Sequence, residues 1–223
     1  MASSGTFSFS LTVDEMVTEA IERNNKDPQN LTGYVAESAI RSFNLMLAEW
    51  ETRNIRYWNI DTVPVSLAVG DPEYDLDTKV LGILSATIRR DSRDRTLTRI
   101  GIQEYHEQPN KDSEASPSHY CFDRQLTPKV LLWPTPNSTD DQLRLLVFRQ
   151  LQDITALNED AEAPKRWTEA ICAGLAAKLA EKLGTASIDR LEARAERALM
   201  LATNDEGERA GVVIRPRGIV RRR

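Results

Sequence analysis

The spacing of apolar side chains changes period twice along this chain of 223 residues, and that change limits the folds open to it. Thr12 followed by Glu15 is the signature of a helix-capping box. Val13, Met16, Val17, Ala20 and Ile21 then fall on one helical face, and Asn24, Asn25, Asp27 and Pro28 end it. A second helix begins near Thr32, where Val35, Ala39, Phe43, Met46, Leu47 and Trp50 recur at steps of three or four. The short connection between the two predicts an antiparallel helical hairpin.

After Asn54 the period becomes two. Val63, Val65, Leu67 and Val69 alternate with smaller or polar residues, as on a half-buried strand. Trp58 and Ile60 lie on the opposite phase, which predicts a bulge or bend near Asp61. Gly70-Asp71-Pro72 is a turn. Leu84, Ala86 and Ile88 mark the next strand, which ends in the polar stretch from Arg89 to Arg95. Ile100 to Gln108 reads as a short helix stopped by Pro109, and Asn110 to Pro117 as a polar loop. Strands follow at Tyr120 to Arg124, Val130 to Trp133 and Leu143 to Leu151. Pro134-Thr135-Pro136-Asn137 joins the last two like a hairpin, and apolar residues on both phases of the last predict cover on both faces.

Helix returns at Pro164, a residue favoured at the first helical position because its missing N–H would be unpaired there. Trp167, Ile171, Leu175, Leu179 and Leu183 form its stripe, with Gly184 as the C-terminal cap. A last helix starts near Ser187, with Ile188, Leu191, Ala195, Ala198, Leu199 and Ala202 on one side. The fold class is therefore α+β: a helical bundle formed by N- and C-terminal helices, with an inserted antiparallel β-sheet or sandwich. The expected division is a helical hairpin over 10–55, a β-rich insert over 56–155, helices completing the bundle over 160–203, and an extended basic arm over 204–223.

The arm has its own chemistry. No acid follows Glu208, whereas Arg215, Arg217, Arg221, Arg222 and Arg223 do. Val212, Val213 and Ile214 are apolar and β-branched, a run suited to adding to the edge of a partner's sheet while the arginines pair with acids or phosphates. Such a segment buries no core of its own and orders on a partner. The chain as a whole has a net charge of -5, which argues against nucleic-acid gripping as its main task. No apolar run approaches the roughly 18 residues of a membrane span. The first ten residues lack a secretory leader, and Cys121 and Cys172 read as free buried thiols of a protein made in the cytoplasm.

No reaction centre emerges from the residues. G-x-S-x-G, P-loop, G-x-G-x-x-G and H-E-x-x-H patterns do not occur, so no catalytic residue and no cofactor is assigned. His119 and Cys121 share a strand face, but a zinc site needs two or three more ligands, and a packed strand edge is the preferred reading. Asp75 and Asp77, near Asp71 and Glu73, read as turn caps rather than a cation site. Trp50, Trp133 and Trp167 belong to core stripes, whereas Trp58 is ambiguous.

The order of several phrases resembles the head-to-tail adaptor family of short-tailed bacteriophages, also called connector or tail tubular protein A-like proteins. They are Leu47-Ala48-Glu49-Trp50, Tyr57-Trp58, Gly70-Asp71 with Tyr74-Asp75-Leu76, and Glu104-Tyr105 before Pro109. Tyr120, Leu132-Trp133-Pro134-Thr135-Pro136, Pro164, Trp167-Thr168-Glu169-Ala170-Ile171 and Gly174-Leu175-Ala176 complete the series. The likeness spans roughly residues 10 to 185; Asp77 stands where relatives often carry proline.

The resemblance implies a structural virion protein, not an enzyme. Adaptors of this kind form a ring of about twelve subunits between the portal and the tail nozzle, through head-to-tail interfaces. They extend the DNA channel, through which the genome passes without sequence recognition during ejection. The expected partners are further copies of the chain, the portal, the nozzle and tail fibres, with no membrane involved. Assembly would occur in the host cytoplasm and the product would reside in the neck of the virion. The 204–223 arm then reaches the portal through Val212, Val213, Ile214, Arg215, Arg217, Arg221, Arg222 and Arg223. An acidic lumen would let DNA slide, with Glu159, Asp160 and Glu162 as the candidate channel-facing acids. Another neck or tail-completion protein, and a DNA-binding module using the arginine-rich tail, are the alternatives.

Overall fold

A computed structural model describes residues 9–206 apart from 31, 54, 56 and 57. Within these, helix α1 spans Val13–Arg23 and α2 Gly33–Thr52. Strands β1 (Ile60–Ser66), β2 (Glu73–Asp75), β3 (Val80–Arg90), β4 (Arg93–Thr96) and β5 (Thr98–Arg99) precede the short helix α3 (Ile102–His106). Strands β6 (His119–Asp123), β7 (Lys129–Trp133) and β8 (Gln142–Arg149) lead to α4 (Thr168–Leu183) and α5 (Ile188–Glu206). The protein is thus α+β, with the last helix running past residue 203.

Local chemistry accounts for the helix ends. The Thr12 side chain accepts from the Glu15 backbone N–H while the Glu15 carboxylate accepts from that of Thr12 at 2.9 Å, a reciprocal capping box. The five residues predicted for the buried face of α1 are the five that are buried. Helix α4 ends at Gly184, whose φ of 62° is the left-handed conformation that glycine adopts without steric cost. Pro164 sits just before a single 3-10 turn, Lys165–Trp167, that leads into α4.

All four long helices contribute to one apolar core, and α4 is at its centre. Its buried residues (Ala170, Ile171, Cys172, Ala173, Leu175, Ala176, Leu179 and Ala180) occupy every phase of the helix, as expected for one covered on several sides. Helices α1, α2 and α5 each lie against α4. Helices α1 and α2 thus meet chiefly through α4 rather than along each other. Buried Asn24, just past α1, donates to the carbonyls of Ala20 at 2.8 Å and Ala176 at 3.0 Å, and accepts from Thr185 at 2.6 Å. Every polar group in that contact is paired, which offsets its desolvation.

The β region holds two four-stranded sheets, ordered β1-β8-β3-β4 and β2-β7-β6-β5. Ile83, Ala86, Leu143, Leu145 and Val147 from the first, with Leu67 just past β1, meet Tyr120, Val130 and Leu132 from the second in a common core. Helix α3 covers the back of the second sheet, where Tyr105 joins Ile100, Cys121 and Leu131.

Five strand-level expectations are corrected. No bulge occurs at Asp61, since β1 pairs with β8 without a break from Ile60 to Ser66. The irregularities lie in β3, between Val80 and Gly82 and between Ile83 and Ser85. The second shifts the phase, so Ile83 is buried while Leu84 is exposed. The polar stretch after Ile88 is not a strand end: Asp91 and Ser92 both have positive φ and turn β3 back into β4. The 134–137 segment links β7 to β8 across different sheets rather than as a hairpin, and the outer side of β8 is only half covered.

Gly174 of α4 lies against Met46 and Trp50 of α2. A Cβ there would lie 2.6 Å from the Met46 sulfur and 3.5 Å from the Trp50 ring. Gly174→Ala should therefore cost about 1–3 kcal/mol of stability by overpacking, read as a lower midpoint in chemical denaturation with an unchanged slope. An equal or higher midpoint would show that Met46 gives way freely.

Candidate functional site

With no reaction centre marked in the sequence, the features of interest are those that set the sheets against the helices and those left open for partners. The first gather where β8 returns to α4. Arg149, the last residue of β8, donates from Nε to Asp61 at 2.8 Å and from both terminal nitrogens to Glu162. The second of these contacts, Nη1 to Oε2, is 3.0 Å; this two-pronged geometry is the strong form of a charge-assisted hydrogen bond. Glu162 also accepts from the Gln152 backbone, and its own carbonyl accepts the Trp58 indole N–H at 2.9 Å. Trp58 stacks obliquely on Trp167, with ring centroids 4.6 Å apart, and Trp50 meets Trp167 from another side at 5.6 Å. The ambiguous tryptophan is thus the one that ties the connecting segment to the helical core.

Two further contacts complete this junction. The Leu151 N–H donates to Glu51 of α2 at 2.8 Å. Asn44 of α2 donates to the Ile154 carbonyl at 2.9 Å and accepts its N–H at 3.0 Å. Chain leaving the sheets is thereby held along α2 before it enters α4.

The three acids expected to face a channel all lie in this connecting segment but differ in their surroundings. Glu159 accepts from the backbone N–H and hydroxyl of Thr155, bonds that hold its carboxyl below the usual range. Its backbone carbonyl accepts from Val13 at 3.0 Å. Asp160 is exposed and pairs through its backbone with Thr12. Glu162 is half-buried, and its bond from Arg149 comes first among the causes that hold it below the usual carboxyl range. Glu159 and Glu162 are therefore engaged within the chain, and Glu162's charge is matched by Arg149. Val212, Val213, Ile214, Arg215, Arg217, Arg221, Arg222 and Arg223 lie outside the described residues.

The second sheet holds no gathered chemistry. Among the described residues there is no cluster of three or more metal-ligating side chains. The His119 ring lies against Trp133, centroids 5.4 Å apart, and neighbouring Cys121 is buried. Asp71 and Asp77 cap turns by accepting from the backbones of Glu73 and Lys79, while Asp75 and Glu73 share Lys129. Trp133 is only half-buried and donates its indole N–H to Asn110 at 3.0 Å, pinning the polar loop. Among the described residues no helix is long and apolar enough to cross a membrane.

Among the exposed apolar side chains are some on both α2 and α5. Tyr34 and Leu45 are exposed on α2, and Met200 and Leu201 on α5. Between α2 and α5, floored by α4, runs a groove with more carboxylates than cations on its walls. Sequence reading missed both the groove and the Arg149 junction. The groove acids had a signal, since Asp189, Glu192 and Glu196 recur at helical spacing on α5. Arg149 had none, because its partners lie 88 and 13 residues away.

Residues 11–217 match the family model described as SU10 adaptor protein. None of the curated proteins matches the chain.

Glu162 supplies a test of the junction. Because its folded pKa is lowered, its contribution is complete above the ordinary value near 4.5 and lost as pH falls through the lowered one. Glu162→Gln should cost about 1–3 kcal/mol near neutral pH. The gap from the unaltered protein should narrow as the solution is acidified, which denaturant titrations across the acid range would reveal. A gap independent of pH would mean that the ion pair contributes nothing to folding.

Proposed function

The chain belongs to the SU10 adaptor protein family, a phage head–tail adaptor family, and from that premise we propose that it forms a ring between portal and tail nozzle. The observation behind this reading is the family match from residue 11 to 217, a range that takes in the helical core, both sheets and most of the arm. In the proposal the ring holds about twelve subunits, matching a twelvefold portal. It is assembled in the host cytoplasm, lies in the virion neck and extends the DNA channel toward the nozzle and any fibres attached there. Its task is structural rather than catalytic.

Physical features support the reading. A closed ring needs two different surfaces that meet head to tail. Exposed Tyr34 and Leu45 on α2, and Met200 and Leu201 on α5, supply apolar residues on separate helices. The net charge of -5 suits a channel past which DNA slides. Of the three acids expected to face it, exposed Asp160 is the best placed to act on passing phosphates, since Glu159 and Glu162 are engaged within the subunit. The arm from residue 207 onward supplies portal contacts, with Val212, Val213 and Ile214 as an added strand and the arginines as anchors.

Native mass measurement on the chain mixed with its cognate portal tests this. The expected product is a portal bearing about twelve added copies. A chain ending at residue 206 should stay folded by circular dichroism and leave the portal bare. Binding by the truncated chain would move the portal contact away from the arm. A portal left bare by the full chain would favour a nozzle-side role, or DNA binding if the chain retards DNA in a salt-sensitive way.

A further inference from the structure

The groove between α2 and α5 has a volume of about 620 Å³. Met46, Trp50 and Leu199 form its apolar bed. Five carboxylates and two cations line its walls. Glu49 pairs with Lys178 and Arg53, and Arg53 also meets Glu196 at 3.6 Å. Glu181, Asp189 and Glu192 are exposed and have no ion pair among the described residues. The groove therefore presents uncompensated negative charge beside an apolar strip. A second hollow of about 460 Å³ shares Arg53, Glu196 and Leu199 with it and continues to Thr203. Together the two make a path from the end of α5 back along its own flank.

We propose that this path receives the chain's own C-terminal segment before assembly, with Val212, Val213 and Ile214 over the apolar bed and Arg215 and Arg217 against Glu192, Asp189 and Glu181. The segment has the complementary character: three consecutive β-branched apolar residues followed by arginines, and no acid after Glu208. Its reach fits. From Glu206 back to Glu192 the helix covers about 21 Å, and the seven residues 207–213 span about 23 Å when extended. A reversal at Gly207 thus brings Val213 beside Glu192, with the arginines arriving one turn further on.

Docking in this way gives the arm an intramolecular competitor. The free subunit masks its sticky strand and its arginines, and a portal must displace them from the groove. The inference rests on the arm reading given above, and it adds where the arm lies when no portal is present.

Cysteine pairing in the full-length chain tests it. Native Cys121 and Cys172 are buried, and burial pushes the Cys172 thiol up to about 11, so both react poorly. In dilute solution without portal, the Glu192→Cys/Val213→Cys pair should form an intramolecular disulfide about tenfold faster than a Leu126→Cys/Val213→Cys control. Leu126, between β6 and β7, is 97% exposed. Molar salt should slow the first pair toward the second. Equal rates for the two pairs, or no disulfide, overturn the proposal; covalent dimers alone would place the arm in a second copy's groove and overturn it equally. Portal capture by the unaltered chain is scored separately. Capture without preferential cross-linking sinks only the groove, whereas loss of capture with cross-linking intact sinks the portal reading and leaves the groove standing.

Discussion

Burial of α4 on several sides at once is the constraint from which the helical part follows. A helix touched by α1, α2 and α5 needs small side chains where axes approach and large ones where they diverge. Ala170, Ala173, Gly174, Ala176 and Ala180 meet the first need, and Ile171, Leu175 and Leu179 the second. Trp167, fully buried at the entrance, fills the wider space under Trp50 and Trp58. The other three helices need only one apolar stripe each, because α4 supplies the opposing surface. Charged groups then bind the outside of the same unit: Glu169 of α4 accepts from Arg23 of α1 and from Arg194 of α5.

The sheets depend on that unit through polar contacts rather than shared core. Their apolar residues form clusters separate from the helical one. What crosses between the two regions is the Arg149–Glu162 pair, the Asn44 and Glu51 contacts to the returning backbone, and Trp58. Directional bonds of this sort hold geometry where an oily contact would tolerate sliding.

Legibility followed how local each signal was. The capping box, the stripe of α1, the stripe of α4 and the glycine cap depend on residues within a few positions of one another, and each was readable. Leu84 was misjudged because alternation assumes an unbroken strand, and the irregularity at Ile83 and Ser85 exists only through pairing with β8. Strand β4 was hidden because four exposed polar residues have no hydrophobic period, and their hairpin rests on positive φ at Asp91 and Ser92. The link from β7 to β8 looked like a hairpin because neighbours in sequence usually pair, yet the two strands serve different sheets. In the connecting segment, the acids were visible but not their partners.

By itself the sequence determined the α+β class, the order of helices and strands, most of the buried faces and the contrast between an acidic body and a basic arm. These follow from periodicity and composition, which neighbouring residues encode. Tertiary structure alone decided that α1 and α2 meet through α4, that eight strands divide into two sheets, and that Arg149 and Glu162 join the regions. It also decided that acids from α4 and α5 line one groove. Those outcomes depend on which distant surfaces fit and which charges then lie within hydrogen-bond reach, and no local pattern records that.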